Sequence, residues 1–331
     1  MPANFNNENR QMLPFHDVVQ DDFRAVNDLI LKELHSDVDL VENIGHYLIE
    51  AGGKRLRPLL VLLSARACHY QGEHHITLAT VIEFIHSATL LHDDVVDTSE
   101  LRRGRLTANA RWGNAPSVLV GDFLYSRAFQ MMVSLGDMHV MRILADTTNR
   151  ISEGEAQQLL NTGNSDVGED NYLTVIDKKT AQLFEAASQC GAVVAGADTV
   201  TANALKAYGH NLGMAFQLVD DALDYTASSD TLGKNIGDDL AEGKPTLPLI
   251  RALHRGNPEQ QALIRRVIKE GGKEEIDAVL QAIETTGAID YTLEMARDYV
   301  ARAQEALAVL TESNYKSALA ELADFAVTRT A

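Results

Sequence analysis

Six aspartates carry most of the chemistry this sequence can do. They fall in two clusters of identical spacing, Asp93-Asp94-x-x-Asp97 and Asp220-Asp221-x-x-Asp224. On an α-helix, positions i and i+4 share a face one turn apart, so Asp93 points with Asp97 and Asp220 with Asp224. Both clusters sit in apolar surroundings, LLHDDVVD and FQLVDDALDY, where an unpaired carboxylate is costly to bury. Two such clusters facing one another form a site for hard divalent cations. Mg²⁺ held by a few carboxylates completes its shell with water and substrate phosphate oxygens. The spacing therefore points to metal-assisted handling of a diphosphate.

Cations stand near both clusters. Gly52-Gly53-Lys54-Arg55-Leu56-Arg57-Pro58 places three positive charges beside a helix start, where backbone N–H groups favour anions. Arg grips phosphate with two hydrogen bonds at once; the plainer alternative is a solvated basic turn. Leu101-Arg102-Arg103-Gly104 follows the first cluster, as phosphate ligands or as simple salt-bridge partners of the aspartates. His86 lies two helical turns before Asp93 on nearly the same face, either a core histidine or part of the site. Gln217, three residues before Asp220, shares that residue's face. Lys179-Thr180 interrupts an Ala- and Leu-rich helix. The stretch from Gly233 to Thr246, with Lys234 and Lys244, reads as a surface loop or as one that folds over phosphate.

The elements that must position these residues are helical. Apolar residues recur with a helical period nearly throughout, prolines are few, and strict alternation is scarce. Helices are expected over 22–51 (one or two), 58–70, 76–97, 117–135, 138–161, 172–196, 201–227, 245–255, 258–270, 274–286, 289–311 and 315–328. Breaks are expected at Gly104, Gly113-Asn114, Gly163 to Glu169 and Ser228 to Gly243. No linker-like composition divides the chain, so one all-α domain over 1–331 is expected, with residues 1–15 as a loose polar tail.

Composition narrows the function. The 331 residues carry a formal net charge of −18, which argues against a nucleic-acid partner. Cys68 and Cys190 lie in Ala-rich apolar stretches and read as small core residues rather than a disulfide framework. The N-terminus lacks the pattern of a secretory signal, and no segment is long and apolar enough to span a membrane. A cytoplasmic protein is the expectation.

Taken together, GGKRLRP, LLHDDVVD, RRG, GDFLYSRAF, KTAQLFEAA, FQLVDDALDY and GKNIGDDLAEGKPTLPL resemble, in order, the motifs of the trans-type isoprenyl (polyprenyl) diphosphate synthases. The likeness runs from about residue 25 to the C-terminus. EFIHSATLLHDDVVD and SVLVGDFLYSRAFQMM look most like the bacterial octaprenyl branch, which serves ubiquinone synthesis. The resemblance implies an isoprenoid-synthase helical bundle around a deep central cavity, acting as a homodimer. It implies that Asp93, Asp94, Asp97, Asp220, Asp221 and Asp224 hold Mg²⁺ on an allylic diphosphate, with farnesyl as the starter. Arg102, Lys179, Lys234 and Lys244 would contact that diphosphate. Lys54, Arg57, His86 and Arg103 would hold isopentenyl diphosphate, while Thr180 and Gln217 lie near the reacting carbons. The apolar product would pass to a membrane-bound acceptor enzyme.

Helix geometry sets an expectation for product length. Ala88 lies five residues before Asp93, about 7.5 Å along the helix. A tail growing down from the aspartates would pass Ala88 and Thr89, and both are small. Tight helix packing also wants small residues there. Phe84, Met131, Met132 and Leu144 are candidates for the floor, and equally for ordinary core. A terpene cyclase would need no second-substrate site, so GGKRLRP and Arg103 argue against one. Ala88 and Thr89 argue against a short-chain synthase, and six retained aspartates argue against a non-catalytic partner subunit.

Overall fold

In the computed structural model, residues 14–226 and 237–329 are described; Lys234 lies outside them. The helices are α1 Gln20–Glu33, α2 Asp39–Glu50, α3 Leu56–Ala67, α4 His74–Val96, α5 Ala108–Trp112, α6 Asn114–Leu135, α7 Met138–Asn161, α8 Glu169–Ile176, α9 Gln182–Val194 and α10 Thr199–Thr226. They continue as α11 Asp238–Ala241, α12 Leu247–Arg255, α13 Pro258–Glu270, α14 Ile276–Thr285, α15 Ala288–Ala306 and α16 Asn314–Thr328. Single 3₁₀ turns precede α1 and α14 and follow α15.

Helices α3 and α4 are buried because their sequences are apolar nearly all round. Leu59 to Leu63 of α3 are fully buried, as are Val81, Ile82, Phe84 and Ile85 of α4. A helix without a polar face must be covered on every side. Accordingly α4 packs against α6, α3 and α1, and α10 packs against α9 and α15. The main apolar cluster draws on α1, α3, α4, α6, α7, α9, α10, α15 and α16. A second cluster joins Leu240, Leu249, Ile264, Val267, Val279 and Ile283 to Tyr225, at the end of α10. Cys190 is buried and Cys68 half-buried, and both are unpaired. Burial pushes the Cys68 thiol up to about 11. Phe15 is buried edge-on to Phe325, tying the start of the described chain to α16.

Two local features interrupt the helical reading. Strands β1 Leu101–Arg102 and β2 Arg105–Leu106 pair antiparallel. Their two-residue turn, Arg103-Gly104, has both φ angles positive, at 54° and 73°, as a type I′ hairpin requires. The expected break at Gly104 is thus a hairpin tip. The helix expected over 172–196 is interrupted by a π turn, Asp177–Ala181, between α8 and α9. Over 22–51 the two-helix alternative holds, as α1 and α2.

The π turn is admitted by two glycines. A Cβ on Gly154 of α7 would sit 2.8 Å from the backbone nitrogen of Lys179, and one on Gly213 of α10 would sit 2.6 Å from Cα of Ala181. Only residues without side chains let the widened turn lie between these helices. Lys179 and Thr180 are carried at its centre.

Candidate active site

Asp93 and Asp97 lie at the C-terminal end of α4, with their carboxylates turned toward two lysines from distant segments. Lys179 Nζ stands 3.6 Å from Asp93 Oδ2, and Lys244 Nζ donates to Asp97 Oδ2 at 2.8 Å. Asp94 points elsewhere. It is buried, and Arg102 donates to its Oδ1 from Nε at 2.9 Å and Nη2 at 2.7 Å. Asn109 Nδ2 donates to the carbonyls of Asp94 and Ser99, which ties α5 to the end of α4.

The second cluster is divided in the same way. Asp220 is half exposed, and its Oδ1 meets Arg329 Nη2 at 2.7 Å. Asp221 is buried and accepts from Tyr172 Oη at 2.6 Å and from Gln217 Nε2 at 2.7 Å. Thr180 Oγ1 in turn donates to Gln217 Oε1 at 2.9 Å. Gln217 thus serves Asp221, four residues on, rather than Asp220, three residues on; both spacings share a helical face. Asp224 accepts from the backbone N–H of Asp239 at 3.3 Å. A cavity of about 130 Å³ opens here, lined among others by Gln158, Tyr172, Lys179, Thr180, Gln217 and Lys244.

The electrostatics favour added positive charge. Burial, with Asp239 nearby, pushes Asp221 up to about 8. Burial raises Asp93 despite Lys179, and neighbouring Asp97 raises it further. Glu155 of α7 is pushed up to about 7 by burial, with Asp93 and Asp97 adding to it. Burial opposes the Lys244 ammonium, but Asp239, Asp97 and Glu242 outweigh it and hold the group charged. In Asp93 and Glu155 the cost of burial outweighs the one lysine they share. Among the described residues, no three His, Cys, Asp or Glu converge closely enough to hold a metal ion by themselves. The donor set is hard oxygen, split between two helices. It suits an ion that takes one or two carboxylates and completes its shell from water and phosphate.

A cationic corner lies within electrostatic reach of Asp220. Gly53 has φ +139°, and a Cβ there would sit 2.5 Å from Arg103 Nη1, so the GG turn lets the hairpin tip lie against it. Arg57 is packed 4.3 Å from the Phe184 ring centroid, with its Nη1 3.2 Å from His86 Nε2. Burial lowers Arg57 only to about 10, leaving it cationic at neutral pH. Burial, Arg57 and Arg103 hold His86 well below its usual value, so it is a neutral imidazole able to accept from Arg57. Burial lowers Lys54, as do Arg329 and Arg103, while Asp220 opposes the shift. Such mutually repelling cations form a receptor for a polyanion.

Several members of the site are not evident from sequence. Arg329, at the end of the described chain, reaches Asp220 and lies 3.8 Å over the Phe216 ring. Tyr172 and Glu155 carry no motif that marks them, and Asp239 hides in GDDL. The chain-length candidates Ala88, Phe84, Met131, Met132 and Leu144 are all buried members of the main apolar cluster. Thr89 Oγ1 donates to the His86 carbonyl at 2.8 Å. None of the six lines the cavity beside Asp221.

The π turn is also braced electrostatically from outside. His210 Nδ1 lies 3.3 Å from Asp177 and 3.4 Å from Glu185. Arg150 and Gln182 also bind Asp177, and Lys206 binds Glu185. The hydrogen bonds to Asp177 and Glu185 lift His210 to about 9. A raised histidine stabilises the fold fully below its unfolded pKa, near 6.5, and loses that contribution as pH passes 9. Allowing for solvent screening of this part-exposed pair, the contribution is about 1 kcal/mol. Wild type should therefore exceed His210→Gln in urea stability at pH 6, with the gap closing by pH 10. A gap that is absent at pH 6, or that grows with pH, would contradict this.

The polyprenyl synthetase family model matches residues 38–286. The octaprenyl diphosphate synthase of Escherichia coli (strain K12) is 50% identical over 315 residues, covering 95% of this chain and 98% of that protein. The all-trans-nonaprenyl-diphosphate synthase (geranyl-diphosphate specific) of Rhodobacter capsulatus is 46% identical, covering 94% and 96%. Among solved structures, the polyprenyl synthase of Caulobacter crescentus CB15, complexed with calcium and isoprenyl diphosphate, superposes with a TM-score of 0.93. It is 47% identical, covering 96% of this chain and 97% of that one.

Proposed function

The chain belongs to the polyprenyl synthetase family, and from that premise we propose that it makes octaprenyl diphosphate for a quinone side chain. Successive condensation of isopentenyl diphosphate onto an allylic diphosphate, farnesyl in our reading, builds the product. The observation that carries the reading is the pair of distinct anion-receiving corners. One has the lysines Lys179 and Lys244 set among carboxylates; the other gathers Lys54, Arg57 and Arg103.

The allylic diphosphate sits between Asp93 and Asp97 on α4 and Asp220, Asp221 and Asp224 on α10. Mg²⁺ bound there would neutralise the charge that builds on the leaving diphosphate. Lys179, from its place against α7, and Lys244 extend to phosphate oxygens of that substrate, and Lys234 is a further ligand for it in this reading. Arg102 buttresses Asp94 from the hairpin, at the edge of the same diphosphate. Lys54, Arg57 and Arg103, with neutral His86 as acceptor for Arg57, fix isopentenyl diphosphate. Its double bond then faces the allylic carbon. Thr180 and Gln217 present oriented dipoles to the developing cation. The buried surroundings keep water from trapping that cation, and the departing diphosphate takes the proton.

The tail descends along α4 past Ala88 and Thr89. The whole chain acts as one domain, a reading supported by α10, which contributes to both apolar clusters. It works as a homodimer; exposed Leu119 and Val133 on α6 support an apolar contact there. Among the described residues no helix is long and apolar enough to cross a membrane. We place the enzyme in the cytoplasm, handing its product to a membrane-bound acceptor enzyme.

The test is to supply farnesyl diphosphate, labelled isopentenyl diphosphate and Mg²⁺, dephosphorylate the products and size them. Eight isoprene units are expected. Products that stop at four units or fewer would contradict the long-chain reading.

A further inference from the structure

On α7, Glu155 and Gln158 share a face and converge on one ammonium group. Lys179 Nζ donates to Glu155 Oε2 at 2.6 Å and to Gln158 Oε1 at 2.6 Å, while Asp93 Oδ2 stands 3.6 Å away. Gly154, on the same turn, lets the backbone of Lys179 lie against the helix. One turn of α7 therefore fixes both the main chain and the side chain of this lysine. A lysine otherwise samples many rotamers, and ordering it when substrate binds would cost entropy. Two acceptors aimed at the same nitrogen remove that freedom beforehand.

We propose that Glu155 and Gln158 are positioning residues, which hold Lys179 beside Asp93 ready for the allylic diphosphate. The inference rests on the reading of Lys179 as a ligand of that diphosphate. Glu155 supplies charge and one acceptor, and Gln158 supplies a neutral acceptor from the cavity wall. Glu155 acts only through Lys179, so it matters only while Lys179 is present.

A double-mutant cycle tests this. Wild type, Glu155→Ala, Lys179→Ala and the double variant are assayed with Mg²⁺. Farnesyl diphosphate is varied at saturating isopentenyl diphosphate, and then the reverse. Lys179→Ala should lower kcat/KM for farnesyl diphosphate by about 100-fold and Glu155→Ala by about 10-fold, as expected for charge-assisted hydrogen bonds. The double variant should match Lys179→Ala to within about twofold. The KM for isopentenyl diphosphate should be unchanged throughout, and Glu155→Gln, which keeps an acceptor oxygen, should recover most of the loss. If Glu155→Ala does not fold, Gln158→Ala completes the same cycle. Additive losses, or a harmless Glu155→Ala beside a damaging Lys179→Ala, would overturn the inference alone. A harmless Lys179→Ala would sink the underlying reading as well.

Discussion

Asp93→Asn should lower the elongation rate by about 100- to 1000-fold, the loss typical of removing one preorganised charge from a developing transition state. The substitution keeps the shape and removes only the charge. Asp93 sits at the end of α4, facing Lys179, with its pKa raised by burial. An amide there is less costly to bury than a carboxylate, so the metal-free variant should melt no lower than wild type. The stabilisation that Mg²⁺ gives in the presence of a diphosphate should shrink, because ligand-linked stability follows affinity. Incorporation of labelled isopentenyl diphosphate and thermal melts with and without Mg²⁺ measure both effects. Near-normal turnover would remove Asp93 from the metal site. A large drop in the metal-free melting temperature would make it a structural residue instead.

Ala88→Tyr should shorten the product to a few isoprene units while turnover stays within a few-fold of wild type. Ala88 is buried on α4, about 7.5 Å before Asp93, and Phe84 lies one turn further down, also buried. If the growing tail passes Ala88, a phenol ring in its path sets a new floor without touching the aspartates. If Ala88 merely packs two helices together, the ring has nowhere to go. Overpacking a filled core costs about 1–3 kcal/mol and leaves product length unchanged. Chromatography of dephosphorylated products, with a thermal melt alongside, separates the two. Unchanged length would refute the placement of the tunnel.

The long helices were legible because their periodicity is strong and their breakers are plain. Helices α4, α6, α7 and α10 begin and end within three residues of where apolar spacing, Gly and Pro put them. The hairpin at 101–106 was not legible. Its strands are two residues each, too short to show alternation, and its turn places Arg103 at a positive φ that sequence gives little reason to expect. The π turn at 177–181 was equally hidden, because its cause lies in Gly154 and Gly213, on other helices. The aspartates were legible one by one, but their partners were not. Helical spacing allowed Gln217 to serve Asp220 or Asp221, and only the turn of α10 against Tyr172 and Thr180 selects Asp221. Arg329 reaches Asp220 from the far end of the chain, a contact with no local signature.

If carboxylates from α4 and α10 use divalent metal to ionise an allylic diphosphate for attack by isopentenyl diphosphate, elongation must stop when that metal is removed. The measurement mixes the protein with farnesyl diphosphate and labelled isopentenyl diphosphate and follows label in butanol-extractable product with Mg²⁺ or with excess chelator. Steady incorporation is expected with Mg²⁺, none with chelator, and recovery when Mg²⁺ is restored. No incorporation with Mg²⁺ present, or equal incorporation in chelator, would contradict this mechanism.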